Sequence, residues 1–185
     1  MDSIKKVKGS SVKLMVKAAK GNWSEIYEEI LTDEAKKLLG HRILDATWYP
    51  YEVYRNIHDA VVLVDGKKNP KILHQWGYKY GEVIMTTIYK NTIVDTSIEK
   101  IIDKFRIFFK LTYNWGHIKM NKISDTKVII SYEDFERDWE YFYYIANGWM
   151  LRFLELCLNK SISYELIEKS WEGADSTKIM FSWNV

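Results

Sequence analysis

The sequence predicts an α+β fold in which helices pack on one face of a roughly four-stranded antiparallel sheet. Three observations carry that expectation. Apolar residues recur at helical spacing through much of the first 113 residues. The period then switches to two over residues 117–132 and again over 162–185. Between these alternating runs lies a long, mostly apolar helical stretch. Two hairpins joined through a helix, after a series of helices, pair into a sheet with one covered face.

The elements follow in order. Trp23, Ile26, Tyr27, Ile30 and Leu31 form one apolar stripe. Thr32 caps the next short helix and Gly40 ends it. Pro50 takes the first helical position after Trp48-Tyr49, with Val53, Tyr54, Ile57, Val61 and Val64 on the buried face and Gly66 as the stop. Asn69-Pro70 starts a helix carrying Ile72, Leu73, Trp76, Tyr80, Val83, Ile84 and Ile88. Gly77 and Gly81 lie four apart on it, each costing about 1 kcal/mol in a helix interior. Such a pair predicts the close approach of another helix or a ligand. Thr96-x-x-Glu99 is a capping box for a helix with Ile98, Ile101, Ile102, Phe105, Phe108, Phe109 and Tyr113 inside.

Beyond it, Ile118, Met120 and Lys122 alternate toward a turn at Ser124-Asp125, answered by Val128, Ile130 and Tyr132. A helix near Phe135 to Leu158 has only a narrow polar stripe of Gly148, Arg152, Glu155 and Asn159, which places it at a domain centre or in an interface. The last hairpin pairs Ile162, Tyr164 and Leu166 with Ile179, Phe181, Trp183 and Val185.

Composition bounds the function. The 185 residues suit one domain spanning 1–185, large enough to fold without disulfide or metal. Hydrophobic residues at 47% and charged residues at 28% exclude a largely disordered chain. The balance of 27 Lys+Arg against 25 Asp+Glu makes no case for nucleic acid. One Cys excludes an internal disulfide and a thiolate zinc cluster. No apolar run approaches the ~18 residues of a membrane span, and Lys13 and Lys17 interrupt the only early apolar stretch. Without an export signal and with a free thiol, the cytoplasm is the expected compartment. Residues 1–20 hold six lysines, read as the solvated start of a first helix ahead of a basic arm touching acidic lipid or nucleic acid.

The chemistry-bearing residues are sparse. His41, His58, His74 and His117 form no metal-ligand spacing, and surface or capping roles are expected of them, with His58 at an amphipathic boundary. Cys157 reads as a small buried hydrophobe. Glu133, Asp134, Glu136 and Asp138 suit a helix N-terminus. No nucleophile elbow, P-loop or dinucleotide fingerprint occurs, so no catalytic residue is assigned. The remaining signal is 15% aromatic content, with 8 Trp, 13 Tyr and 7 Phe. It predicts a large aromatic core or an apolar ligand pocket, for which Phe105, Phe109, Tyr113, Trp115, Tyr141, Tyr144 and Trp149 are the candidates.

Several short motifs carry a family resemblance. Gly148-Trp149-Met150, Trp171-Glu172-Gly173-Ala174-Asp175 and Phe181-Ser182-Trp183 resemble the vinyl-reductase-like and haem-NO-binding-associated superfamily, which shares its fold with subunits of the TRAPP vesicle-tethering complex. Val7-Lys8-Gly9-Ser10, Trp48-Tyr49-Pro50 and Gly77-Tyr78-Lys79-Tyr80-Gly81 add similarity to a bacterial paralogous family in that group. The resemblance implies a ligand-sensing or protein-docking module, commonly dimeric. Sensors of this group that bind phenols hold zinc through cysteines near the last hairpin, where this chain has Trp171. Haem-binding relatives share a proximal His and a Tyr-x-Ser-x-Arg motif, whereas this chain reads Tyr132-Glu133-Asp134-Phe135-Glu136-Arg137. Neither zinc nor haem is therefore expected, and no other cofactor.

The leading expectation is a non-enzymatic module that binds a small apolar or amphipathic molecule among these aromatic residues. A homodimer, a signalling partner, no nucleic acid and no membrane span accompany it. A structural adaptor without a ligand ranks second, and a haem or gas sensor third.

Overall fold

A computed structural model describes residues 4–87 and 97–184. It divides into two compact units, Met1–Asn69 with Lys110–Trp115, and Pro70–Phe109 with Gly116–Val185.

The first unit contains β1 (Lys6–Lys8), α1 (Gly9–Gly21), α2 (Glu25–Ile30), α3 (Asp33–Gly40), β2 (Trp48–Pro50) and α4 (Tyr51–Val64). Val12, Met15, Val16 and Ala19 of α1 are buried, as are Ile57, Ala60 and Val61 of α4. Their spacing of three and four puts each set on one helix face. Thr32 caps α3 as its sequence position implies, accepting from the Ala35 N–H at 3.3 Å. Pro50 lies one residue earlier than expected. It closes the two-stranded β1–β2 ribbon opposite Lys6, where its missing N–H removes no internal ladder bond, and α4 begins at Tyr51. The stripe expected of α2 is only partly buried: Tyr27 and Leu31 are inside, while Trp23 and Ile26 are exposed. Tyr27 reaches Asp65 with its hydroxyl at 2.9 Å.

The second unit holds α5 (Pro70–Thr87), most of α6 (Ile98–Thr112), β3 (His117–Ser124), β4 (Lys127–Glu133), α7 (Glu140–Leu158), β5 (Ile162–Glu168) and β6 (Thr177–Trp183). The four strands run antiparallel in the order β3-β4-β6-β5, with Met120 opposite Ile130, Ile130 opposite Ile179 and Ile179 opposite Leu166. Burial alternates along β6 and the start of β3, so one sheet face is covered, as the period of two requires. The α+β class read from the sequence is the class observed.

α5 starts at Pro70. For α6 the expected capping threonine, Thr96, lies outside the described residues, as does Ile88 of the α5 stripe. Ser97 serves as a cap, its hydroxyl accepting from the Lys100 N–H at 3.4 Å. α7 begins at Glu140 rather than near Phe135, because Asp134 adopts φ 51° and turns the chain before the helix can form. Asn159 ends it in the left-handed conformation, φ 51°.

α5 and α7 cross at backbone contact. A Cβ on Gly77 would stand 1.8 Å from the Ile145 carbonyl oxygen, one on Gly148 2.0 Å from that of His74, and one on Gly81 3.0 Å from that of Trp149. Of the helix and ligand that the glycine pair left open, the helix is what approaches. The polar stripe of α7 lies along the same seam. Arg152 donates to Glu82 at 2.9 Å and to Tyr78 and Glu155 at 3.1 Å, and the Tyr78 hydroxyl donates to Glu155 at 2.6 Å. Tyr78 is held above the ordinary phenol pKa, chiefly by that bond to the Glu155 carboxylate.

Gly77→Ala and Gly148→Ala are each expected to destabilise the protein by about 1–3 kcal/mol in urea unfolding, although alanine is the better helix former. Gly21→Ala, with open space around its Cβ, is expected to gain up to about 1 kcal/mol in the same assay.

Candidate functional site

The seven aromatic residues expected to line a pocket fall into several clusters. In the first unit, the Trp115 ring lies 4.8 Å from Tyr51 and 5.3 Å from Tyr113, with the Lys5 ammonium 5.8 Å from the Trp115 centroid. In the second unit, Phe105 meets Trp149 edge-on at 5.7 Å and Phe153 at 4.6 Å. Phe109 belongs to a neighbouring group with Tyr132 at 6.0 Å and Phe135 at 5.1 Å. Tyr144 packs near Trp171 at 5.9 Å. Tyr141 sits half-buried on α7. The rings meet one another at the edge-to-face and offset distances favoured by their quadrupoles.

Residues the pocket list omits complete these clusters. Phe142 stacks on Trp139 at 4.6 Å, and Tyr143 stacks on Trp171 at 5.4 Å. The buried Tyr132 hydroxyl has its pKa pushed well up, first by desolvation and then by Tyr143 beside it. Helical spacing marks Phe142 and Tyr143 as α7 positions, but the stacking of Tyr143 on Trp171 joins segments distant in sequence.

Two buried polar groups stand out in the second unit. Asn147 is 0% exposed, and neither its amide nitrogen nor its oxygen has a hydrogen-bond partner in the protein. An unsatisfied buried polar group costs about 1–3 kcal/mol, so this amide is suited to hold a polar guest. His74 stacks on Tyr164 with centroids 4.8 Å apart, and its Nε2 is buried without a hydrogen bond. Burial lowers its pKa, so the imidazole is neutral at pH 7.

The other histidines differ. His58 is fully buried rather than at a helix boundary, and its Nδ1 lies 2.9 Å from the Asp59 carboxylate. A proton on Nδ1 there places the lone pair on Nε2. His41 is exposed and donates from Nδ1 to the Lys37 carbonyl, and the exposed His117 pairs with Glu133 at 3.0 Å. Cys157 is buried. The acidic cluster is dispersed: Glu133 ends β4, and Asp134 makes the turn before α7. Among the described residues, no group of three His, Cys, Asp or Glu gathers where it could hold a metal ion, and no helix is long and apolar enough to cross a membrane.

No family model and no curated protein matches the chain. Solved structures do. The chain is similar to the Fe(II) unliganded H-NOX protein from K. algicida, with a TM-score of 0.65 and 11% identity over 96% of this chain and 97% of that one. An H-NOX protein from S. oneidensis in its Fe(II)NO state gives 0.67 at 11% identity, over 96% and 99%. An oxygen-binding H-NOX domain related to soluble guanylate cyclases gives 0.63 at 12%, over 96% and 95%. These likenesses establish the fold, and they agree with the haem-NO-binding part of the resemblance read from the sequence.

They also correct the expectation on cofactors. Haem was set aside because the Tyr-x-Ser-x-Arg motif is absent and no proximal His could be placed. Structures of this fold include proteins studied for their heme distortion and heme redox potential, so the missing motif does not set haem aside. A short motif is a poor guide at this divergence, since an axial donor needs only an available lone pair and a suitable position. The donor chemistry of His74 is compatible: it is a neutral imidazole whose Nε2 is buried without a hydrogen bond.

The half-buried His74 imidazole also implies a pH dependence. Because the folded pKa of His74 lies below its unfolded value of 6.5, the unfolded chain binds the proton first. Stability should be full above pH 6.5 and fall as the pH drops below it, and His74→Phe should flatten that fall in urea midpoints measured from pH 8 to pH 5. Asn147→Leu should raise the unfolding free energy of the ligand-free protein by about 1–3 kcal/mol, read as a higher urea midpoint at every pH, because it removes two unsatisfied groups.

Proposed function

We propose that this protein is a non-enzymatic ligand-sensing module that carries haem. The observation that supports this reading best is the likeness to H-NOX structures over 96% of the chain. Bound haem would supply an iron able to take a diatomic gas. The side chain proposed to hold it is His74. Burial keeps His74 in the neutral, ligating form. The aromatic clusters exclude water from the interior of their own units, which lowers the dielectric around any bound group. A homodimer and a signalling partner belong to the same proposal.

A second reading, a non-haem apolar or amphipathic molecule bound in the aromatic interior, is favoured by Asn147. Its amide offers one acceptor and two donors inside an otherwise apolar core. Haemin titration of the purified protein separates the two. The haem reading expects a Soret band that saturates at one equivalent, and a loss of affinity of about tenfold or more in His74→Ala. No saturable Soret band sinks it. A native mass above that of the bare chain, with a co-purified molecule other than haem, supports the second reading.

A further inference from the structure

Six lysines crowd residues 1–20, and folding treats them unequally. Lys8 lies 4.4 Å from the Trp48 ring centroid and Lys5 lies 5.7 Å from that of Tyr51, both cation–π contacts. Lys13 pairs with Asp45 at 3.2 Å. Lys17 and Lys20 have no such partner. They line a cleft of about 610 Å³ in the first unit, formed by α1 and the segment 41–45. Arg42 lines the same cleft, and among the described residues Lys17, Lys20 and Arg42 make no ion pair. Val16 and Ile43, both buried, contribute apolar lining.

The charge is concentrated rather than merely present. The chain as a whole is nearly balanced at +2. This one cleft gathers Lys13, Lys17, Lys20 and Arg42 against the single carboxylate of Asp45. Cations held together repel one another, and the field of a concave basic surface raises the local concentration of anions. The spacing has a sequence cause: positions 13, 17 and 20 are i, i+4 and i+7, one face of α1. Arg42 comes from the segment after α3, so cations line the cleft from two segments of the chain. Ammonium groups act as point charges toward phosphate, and the guanidinium fork can bond two of its oxygens. The volume falls in the range of small-molecule sites.

We propose that this cleft binds a small phosphate-bearing polyanion. The site is independent of haem and uses none of the residues assigned to it.

The test is calorimetric titration of the full chain with inorganic tripolyphosphate at low ionic strength, run beside citrate and vesicles of acidic phospholipid. Saturable one-to-one binding of tripolyphosphate is expected, weakening as salt is raised. The double variant Lys17→Glu/Arg42→Glu should lose about tenfold or more in affinity. Lys79→Glu/Lys110→Glu, which makes the same charge change at exposed positions outside the cleft, should change affinity by less than about twofold. All four positions are exposed, and circular dichroism checks that both variants fold. Equal losses in the two variants would overturn the proposal, because net charge alone would then explain binding. Citrate binding as tightly as tripolyphosphate would overturn the phosphate assignment. Vesicle binding without tripolyphosphate binding would assign the face to a membrane surface instead.

Discussion

The backbone contact between α5 and α7 is the constraint on which the larger unit depends. Helices whose interfaces carry ordinary side chains pack about 8–10 Å apart. Here Gly77 and Gly148 remove the side chains at the crossing, so carbonyl oxygens of the facing helix stand where a Cβ would be. The gain in contact offsets the helix-propensity cost of each glycine. It also sets the spacing at which the Arg152, Glu82, Tyr78 and Glu155 bonds can form. A charged group this near the interior needs several partners to recover its lost hydration, and the seam supplies them.

With α7 held in that position, its other faces meet aromatic residues and the sheet. Phe153 and Trp149 receive Phe105, while Phe142 and Tyr143 meet Tyr132. An interior of this kind excludes water efficiently, which makes its few polar groups consequential. Asn147 and His74 are left without partners for polar atoms that water would otherwise satisfy. Asn147, with both amide atoms unsatisfied, points toward ligand chemistry more directly than the aromatic residues themselves do.

The candidate site was less legible than the fold. Aromatic abundance suggested one pocket, but abundance carries no information about which rings converge, and Trp115 and Trp149 fall in different compact units. Asn147 and His74 carried no signal, because a buried amide or imidazole becomes notable only when its surroundings fail to bond it. His58 was misplaced for a related reason: its helical angle lies beside the stripe, yet packing from other segments covers it. The cofactor expectation failed because it weighed a missing motif, whereas a fold can persist at 11–14% identity after short motifs have gone.

The sequence by itself determined the α+β class, the two hairpins and the starts of α3 and α5. Those follow from local periods and caps, which act over three or four residues and survive any arrangement of the rest. It determined as well that Gly77 and Gly81 needed a close neighbour. Only tertiary structure decided that this neighbour is α7, that the polar stripe of α7 is a seam of partly buried bonds, and that Lys17, Lys20 and Arg42 share a cleft. Each of these joins residues tens of positions apart. Burial, pairing and charge concentration are properties of the surroundings, and surroundings exist only once the chain has folded.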